Sequence, residues 1–282
     1  MSAPKLSRII AQWVGSRSSE GALPTSLFWG PTPRALWVLF VLYLILALAY
    51  NFVFPPFEPT DEMAHFRYVR HLIEQRRFPV AQPDDTSEYH QPPLYYALAA
   101  AVSWPFPAEA YQADYAGRVN PYRAFRYWEP GLDNKNLFLH GPWDAWPFGG
   151  VSLSVHVARL ASLFAGAVTV LLTYPVARSI LDEQASLAAT GLVAFLPMFL
   201  AVSGSLQNDT GAAACGAFFL WLGVSFYRAG FNARRAIAFG LAIGIGALMK
   251  ITAVFLLAPA VLLIAAWGRA VRQPVRRALG YV

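Results

Sequence analysis

Two adjacent carboxylates and a histidine follow the first apolar segment of the chain. Asp61 and His65 are four residues apart, and Glu62 and His65 are three apart, so a helix would carry all three side chains on one side. This pattern could supply a general base, or two ligands, Asp61 and His65, for a divalent metal such as Mg²⁺ or Mn²⁺. Acidic residues in a first helical turn also complement the helix dipole, so the spacing alone leaves both interpretations open.

A second polar group lies in the Pro-rich segment 88–96. His90 and Gln91 precede two prolines that suit the start of a helix, and Tyr95 follows in the first turn. These side chains could form part of a polar site. They could equally be an interfacial anchor, because tyrosine rings are common at the headgroup level of membranes.

Charged residues also stand within or beside long apolar segments. Lys250 interrupts the block 236–267, where a charge is costly and therefore a candidate for function. Arg159 lies in the first turns of the segment 156–180, and either cation could face a lipid phosphate. Asp209 precedes the segment 210–227 and could be only a helix cap.

The composition excludes an ordinary soluble domain. The chain has 282 residues, of which 56% are hydrophobic and 13% charged, and its mean hydropathy is +0.40; soluble domains carry about 25% charged residues. A single cysteine, Cys215, excludes a disulfide framework within the chain. The net charge is +6. Because the basic residues stand beside apolar segments, they indicate membrane orientation, and no nucleic-acid partner is expected.

The apolar segments predict an all-α integral membrane protein with about six transmembrane helices. Membrane-spanning helices need roughly 20 apolar residues. The predicted spans are 34–54, 156–180, 185–203, 210–227 and the block 236–267, which is long enough for two short spans turned at Lys250. Whether the shorter block 92–107 crosses the membrane decides the orientation of every later span. If it does not cross, 12 of the 22 basic residues lie on the cytoplasmic side, as the positive-inside rule requires.

The predicted organisation has four parts. Residues 1–33 form a cytoplasmic leader, 34–54 the first span, 55–154 an extracytoplasmic loop, and 155–282 the remaining spans with a basic cytoplasmic tail. The loop holds juxtamembrane helices near 61–77 and 92–106, and it carries 12 of the 16 acidic residues. Three loop tryptophans could stack on sugar rings, although an interfacial anchor is favoured: Trp128, Trp143 and Trp146.

Four sequence elements, in order along residues 34–260, resemble those of GT-C membrane glycosyltransferases. Segment 59–66, PTDEMAHF, resembles the Asp-Glu-x-x-His-Phe element after their first span, and segment 90–96, HQPPLYY, resembles their later His/Gln-Pro-Pro-Leu element. Segment 158–166, ARLASLFAG, is similar to the start of their second span, and segment 248–251, LMKI, resembles a Leu-x-Lys near their fifth and sixth spans. Protein O-mannosyltransferases, the aminoarabinose transferases of lipid A and uncharacterised bacterial GT-C-like proteins share this pattern.

The resemblance implies an inverting transferase that moves a sugar from a polyprenyl-phosphate donor to a lipid or glycan acceptor at the extracytoplasmic face. It implies Asp61 as general base with Glu62 assisting. The expected donor-phosphate ligands are Arg159, Lys250, His90, Gln91, Tyr95 and Asp209. The expected location is the bacterial cytoplasmic membrane, with both termini in the cytoplasm.

Family members usually have more spans, so the sequence resembles an N-terminal half whose C-terminal counterpart could come from a second chain. Two alternatives remain at this stage. One is a non-catalytic lipid-binding or scaffold protein of the same fold, and the other is a transporter. Transporters often carry inverted repeats and charges near the bilayer midplane, and neither is clear here apart from Lys250.

Overall fold

A computed structural model describes residues 32–82, 86–108, 110–123, 136–229 and 232–270, with only the backbone described for 227–229 and 266–270. Within these ranges the chain is helical, and the only strand-like pairing is one isolated antiparallel bridge between Val119 and Phe138. The prediction of an all-α membrane protein is confirmed.

The described helices are, in chain order, α1 Arg34–Val53, α2 Glu62–Gln75, α3 Leu94–Ser103, α4 Tyr111–Ala116, α5 Gly150–Ala158, α6 Leu160–Arg178, α7 Glu183–Ala194, α8 Pro197–Ser203, α9 Asn208–Ala229, α10 Ala233–Met249 and α11 Leu257–Ala270. Two 3₁₀ turns, Pro142–Asp144 and Ile251–Leu256, complete the regular structure.

Three of these helical segments are long and apolar enough to cross a membrane: α1, the consecutive pair α5 and α6, and most of α9. The pair α7 and α8 bends by 58° at a short break and would make a fourth if it is one broken span. The described residues therefore support three or four spans by length and composition, and the predicted six are not confirmed. The main difference is the last apolar block, which is divided into α10, a 3₁₀ turn and α11.

The division of that block occurs at Lys250, as the sequence predicted. Helix α10 ends at Met249, and Lys250 adopts an extended backbone (φ −156°, ψ 133°) before the 3₁₀ turn begins. In the other short block, 92–107, only the ten residues of α3 are helical. Ten residues rise about 15 Å, half the thickness of a hydrocarbon core of about 30 Å.

The helix α2 packs against α3 through an apolar stripe. Phe66 and Val69 are fully buried there and belong to the largest core cluster, together with Tyr95 and Tyr96 of α3 and Leu206 after α8. Because this cluster joins the loop helices to the bundle, the residues at the start of α2 have fixed positions relative to the long helices.

A close approach between the end of α8 and the end of α1 fixes the linker that leads to α9. A Cβ atom at Gly204 would lie 2.6 Å from the Cβ of Tyr50 and 2.9 Å from the backbone nitrogen of Asn51, distances at which something must move. Glycine at position 204 thus lets the linker 204–207 pass beside the C-terminal end of α1. This placement brings the linker to the first turn of α2.

Candidate active site

A buried ion pair joins the start of α2 to the joint between α5 and α6. The Nε atom of Arg159 donates to Glu62 Oε1 at 2.8 Å and its Nη2 atom to Oε2 at 2.7 Å, and both side chains are fully buried. The remaining guanidinium N–H groups donate to the carbonyl oxygens of Asn51, Phe54 and Pro55, at 2.9, 2.7 and 3.0 Å. Arg159 therefore holds the end of α1 and the start of α2 together.

The Glu62 carboxylate is equally saturated. Besides Arg159, its oxygens accept hydrogen bonds from the backbone N–H groups of Phe57, at 2.8 Å, and Leu206, at 2.9 Å. Four chain segments thus meet at one carboxylate, and the paired charges compensate each other's desolvation.

This geometry corrects two expectations from the sequence. Arg159 was expected to face a donor phosphate, but all five of its N–H donors are already used within the protein. Glu62 was expected to assist catalysis, but its carboxylate is buried and accepts four hydrogen bonds. In this structure both residues anchor the site and neither faces an open space.

Asp61, the neighbour of Glu62, has the opposite character. Its side chain is exposed, and its carboxylate has no hydrogen-bond partner among the described residues. Its backbone is left-handed (φ 58°, ψ 7°), and its side chain does not cap α2, which begins one residue later at Glu62. A non-glycine residue held in this region stores about 1 kcal/mol or more of strain, and such strain is concentrated at functional sites.

The segment after α8 packs beside Asp61. The side-chain amide of Gln207 donates to the carbonyl oxygen of Thr60, and Asn208 Nδ2 donates to Gln91 Oε1 at 3.3 Å. Gln91 and Asp61, which are predicted site residues from different parts of the loop, are therefore both tied to the start of α9. Gln207 is a site residue that the sequence analysis missed, and its only signal was its place beside Asn208 and Asp209.

Lys250 and Asp209 form an ion pair at the same end of the bundle. The Nζ atom of Lys250 lies 2.5 Å from Asp209 Oδ1, and the lysine side chain is 19% exposed while the aspartate is 58% exposed. The pair joins the C-terminal end of α10 to the first turn of α9. Two of the expected donor-phosphate ligands, Lys250 and Asp209, are therefore in direct contact.

His65 lies beneath this surface and is buried. Its Nδ1 atom is 2.8 Å from the hydroxyl of Tyr96, and the two rings are stacked. Burial lowers the pKa of the His65 imidazole, and the nearby carboxylates of Glu88 and Asp61 offset part of that effect. The charge of Lys250 also lowers this pKa, so Asp61, Glu88 and Lys250 all lie within electrostatic reach of one ring.

The described residues do not supply a full metal site around His65. In the described ranges no group of three or more His, Cys, Asp and Glu side chains is arranged to hold a metal ion. The predicted ligands Asp61 and His65 therefore have no third such ligand in this part of the chain, and no chemical step is assigned to a metal.

Two other predicted site residues, Tyr95 and His90, differ in accessibility. Tyr95 is fully buried, and its hydroxyl lies 2.6 Å from Ser162 Oγ, so it supports the fold and presents no free group to a phosphate. His90 is exposed, 3.5 Å from the Glu88 carboxylate and 3.2 Å from the amide nitrogen of Gln91. His90 and Gln91 thus remain at the surface of the site.

An apolar cavity of about 220 Å³ begins beside the Lys250–Asp209 pair. It lies between α3, α6, α9 and α10, and its lining includes Leu98, Phe164, Phe218 and Met249. Met249 directly precedes Lys250, so a charged group and an apolar groove adjoin. This combination suits a ligand with an anionic head and a hydrocarbon chain.

A second ion cluster fastens the loop to the segment before Asp61. His140 donates from Nε2 to Glu58 Oε1 at 2.7 Å and from Nδ1 to Asp144 Oδ2 at 2.8 Å. Glu58 also accepts from the backbone N–H groups of Leu137 and Phe138. The sequence analysis did not single out this cluster; its only local signal is the i, i+4 spacing of His140 and Asp144.

The His140 cluster predicts a pH-dependent contribution to stability. Burial alone would lower the pKa of His140, but hydrogen bonds to Asp144 and Glu58 raise it from 6.5 to about 9. Because folding raises its pKa, His140 contributes its full stabilisation of the folded state below pH 6.5. This contribution is lost as the pH rises through about 9. We expect the thermal stability of the protein to exceed that of His140→Gln by less at pH 10 than at pH 6. A difference that stays constant over this range would contradict the assignment.

Two of the three tryptophans considered for sugar stacking, Trp143 and Trp146, are described, and their contacts favour the anchor interpretation. Trp146 packs on Phe52 near the end of α1, with ring centroids 5.6 Å apart. The guanidinium of Arg118 lies 4.9 Å from the ring centre of Trp143. Both indoles remain more than half exposed. Trp128 lies outside the described residues.

Comparison with known proteins gives one match. Residues 148–282, slightly under half of the chain, match a family model described as dolichyl-phosphate-mannose-protein mannosyltransferase. The match includes Arg159, Asp209 and Lys250, whereas Asp61 lies before it. Neither the search of curated proteins nor that of solved structures found a match. The matched family consists of glycosyltransferases and implies a lipid-linked sugar donor in a membrane. This match, together with the apolar helices, supports a membrane glycosyltransferase of the GT-C superfamily.

Proposed function

We propose that this protein is an inverting glycosyltransferase that moves a sugar from a polyprenyl-phosphate donor to a lipid or glycan acceptor at the extracytoplasmic face of a bacterial cytoplasmic membrane. The observation that carries the proposal is that Asp61 and Lys250 both adjoin the segment 207–209 beside an apolar groove: Gln207 contacts Thr60, the neighbour of Asp61, and Asp209 pairs with Lys250. Asp61 and Lys250 are far apart in sequence. Asp61 offers the carboxylate and Lys250 the ammonium that the reaction requires.

Asp61 is proposed as the general base. Inversion in one displacement needs a group that takes the proton of the acceptor hydroxyl as its oxygen attacks the anomeric carbon. The Asp61 carboxylate is exposed and has no hydrogen-bond partner among the described residues, so both oxygens are free to accept. Its strained backbone is held in place from both sides, by the Thr60–Gln207 contact and by the Glu62–Arg159 pair.

Lys250 is proposed to bind the phosphate of the donor. When the bond between the anomeric carbon and the phosphate oxygen breaks, the electron pair stays on the polyprenyl phosphate, and a nearby ammonium stabilises the developing charge. An ammonium has three N–H donors, and Lys250 uses one on Asp209. His90 and Gln91, which lie at the same surface, are proposed to contact the donor head group.

The apolar cavity is proposed to hold the first part of the polyprenyl chain. Its lining is predominantly apolar, and several lining side chains, including Phe164 and Leu98, are also exposed at the outside of the bundle. A polyprenyl chain in this groove would continue into the surrounding lipid. The head group would then lie at Lys250, directly after Met249.

The distribution of basic residues between the two ends of the helices supports the extracytoplasmic location. The site lies at the C-terminal ends of α1 and α10 and at the N-terminal ends of α6 and α9. Arginines stand at the opposite ends of three of these helices, namely Arg34 for α1, Arg178 for α6, and Arg234 and Arg235 for α10. Basic residues favour the cytoplasmic side of a membrane, which leaves the site on the outer side.

The proposal is tested by the lipid that remains bound during purification. We expect native mass spectra of the full chain in mild detergent to show polyprenyl phosphate or its glycoside. The Lys250→Ala variant should lose most of this lipid, because the ammonium that pairs with the phosphate is gone. The matched control is Arg234→Ala, which removes an exposed cation at the other end of the same helix and should leave the bound lipid unchanged.

The alternative results are equally informative. Wild-type protein that carries only bulk phospholipid would argue against donor binding and would favour a scaffold of the same fold. Equal loss of polyprenyl lipid in both variants would show that net charge, and not the position of Lys250, controls binding.

A further inference from the structure

A polar cavity of about 250 Å³ lies beside the C-terminal half of α2, outside the proposed reaction centre. Its lining includes Arg67, Arg70 and Glu74 of α2, Tyr89 of the segment before α3, and Tyr111 and Gln112 of α4. The proposed reaction assigns no role to these residues.

The described residues do not saturate the guanidinium group of Arg67. Its Nη1 atom donates to the hydroxyl of Thr86, and its Nη2 atom contacts the sulfur of Met63 at 3.7 Å. Its Nε atom is buried and has no hydrogen-bond partner in the described part of the chain. No carboxylate forms an ion pair with Arg67 within the described ranges, so its charge is available to a ligand.

Arg70, one turn further along α2, is in contrast paired with a carboxylate. It is paired with Glu74, with nitrogen–oxygen distances of 2.8 and 3.0 Å, and it donates to the carbonyl oxygen of Phe106 at 3.3 Å. This pair carries no net charge. The Arg67 guanidinium is therefore the positive group of the cavity that lacks an acidic partner among the described residues.

The rest of the lining suits a ligand rich in hydroxyl groups. Tyr89 and Tyr111 combine an aromatic ring with a polar tip, and Gln112 adds a planar amide that can both donate and accept. Gln112 already donates to the hydroxyl of Tyr111 at 3.1 Å, so its orientation is fixed. A few positioned polar groups beside aromatic rings are typical of small-ligand sites.

We propose that this cavity is an acceptor subsite that binds a saccharide carrying a carboxylate or phosphate group, with the anion against Arg67. A guanidinium pairs with either anion through two parallel hydrogen bonds. Asp61 lies six residues before Arg67, just ahead of α2. At 1.5 Å per residue and 3.6 residues per turn, this separation corresponds to about 9 Å along the helix axis and about a third of a turn around it. A saccharide held at Arg67 would extend along α2 and partly around it toward the proposed base. This assignment rests on the proposed transferase function.

Binding of sugars to the proposed subsite is tested by saturation-transfer difference NMR of the full chain in detergent. The probes are D-glucuronic acid, D-glucose 1-phosphate, D-glucose and inorganic phosphate. We expect ring-proton signals from both anionic sugars and signals at least tenfold weaker from glucose. Equal signals from glucose, or complete displacement of glucuronic acid by equimolar inorganic phosphate, would overturn the assignment.

Variants separate the cavity from the surrounding surface. Arg67→Gln should lower the affinity for glucuronic acid at least tenfold, while Arg77→Gln, an exposed arginine just beyond α2, should not change it. Should Arg67→Gln fail to fold, Gln112→Ala removes a lining amide near the surface and should weaken binding of the sugars. Unchanged binding in folded Arg67→Gln, or in Gln112→Ala when it replaces that variant, would refute the subsite.

This result is independent of the test of donor binding. Wild-type protein that carries polyprenyl lipid but binds neither anionic sugar would overturn the acceptor subsite alone. Protein that binds the anionic sugars through Arg67 but carries only bulk phospholipid would overturn the proposed donor, and the cavity would stand as a saccharide site.

Discussion

Replacement of Arg159 by methionine is expected to destabilise the folded protein by about 3–5 kcal/mol, because it leaves the Glu62 carboxylate buried without its counter-ion. Three backbone carbonyl oxygens, of Asn51, Phe54 and Pro55, would lose their donor at the same time. On the scale of soluble domains this corresponds to a fall in unfolding temperature of roughly 10 °C. Thermal unfolding of detergent-solubilised protein, followed by circular dichroism, measures the change.

The control is the same change, arginine to methionine, at the other end of α6. Arg178 terminates α6, is exposed, and donates to the carbonyl oxygen of Leu181. Arg178→Met should change the unfolding temperature by little, since exposed cations contribute about 1 kcal/mol or less.

A double variant separates the loss of stability caused by breaking the ion pair from the loss caused by changing the size of the side chain. Removing both charges, as in Arg159→Met with Glu62→Leu, takes away the isolated buried carboxylate. We expect this protein to be more stable than Arg159→Met alone, giving a large coupling between the two positions. Additive effects in the double variant would contradict the direct pairing of Glu62 with Arg159.

The positions of several helices could be predicted because each depends on a continuous stretch of sequence. Apolar segments of membrane-spanning length predicted α1, α6 and α9 to within a few residues at most ends. The break at Lys250 was predicted for the same reason, since a charge in an apolar run disfavours continuation of a buried helix. The number of spans was less predictable, because it depends on how short helices such as α10 pack against each other.

The partners within the site could not be predicted from the sequence, because they are set by tertiary packing. Glu62 and Arg159 are 97 residues apart, and Glu58 and His140 are 82 apart. The sequence identified both Asp61 and Glu62 as candidate acids, but only packing distinguishes them. Leu206 and Phe57 enclose one carboxylate, while the left-handed backbone of Asp61 turns the other to the surface.

Asp61→Asn is expected to lower the rate of sugar transfer by about 10² to 10⁴, the range that a general base contributes. Asparagine has the same shape and tolerates the left-handed backbone, but its amide cannot take the proton of an acceptor hydroxyl. The fold and the bound lipid should therefore persist. The rate is measured as release of polyprenyl phosphate from polyprenyl-phosphate mannose, with bacterial membranes as the source of acceptor.

The control for this variant is the same change at another exposed loop carboxylate. Asp114 in α4 is exposed and pairs with Arg118 at 3.3 Å, away from Lys250, so Asp114→Asn should retain the wild-type rate. Native mass spectra should show the polyprenyl lipid on both variants, because neither change touches the ammonium of Lys250. An Asp61→Asn protein with bound lipid and an unchanged rate would exclude Asp61 as the base. The exposed carboxylate of Asp209, partner of Lys250, would then be the next residue of this surface to test.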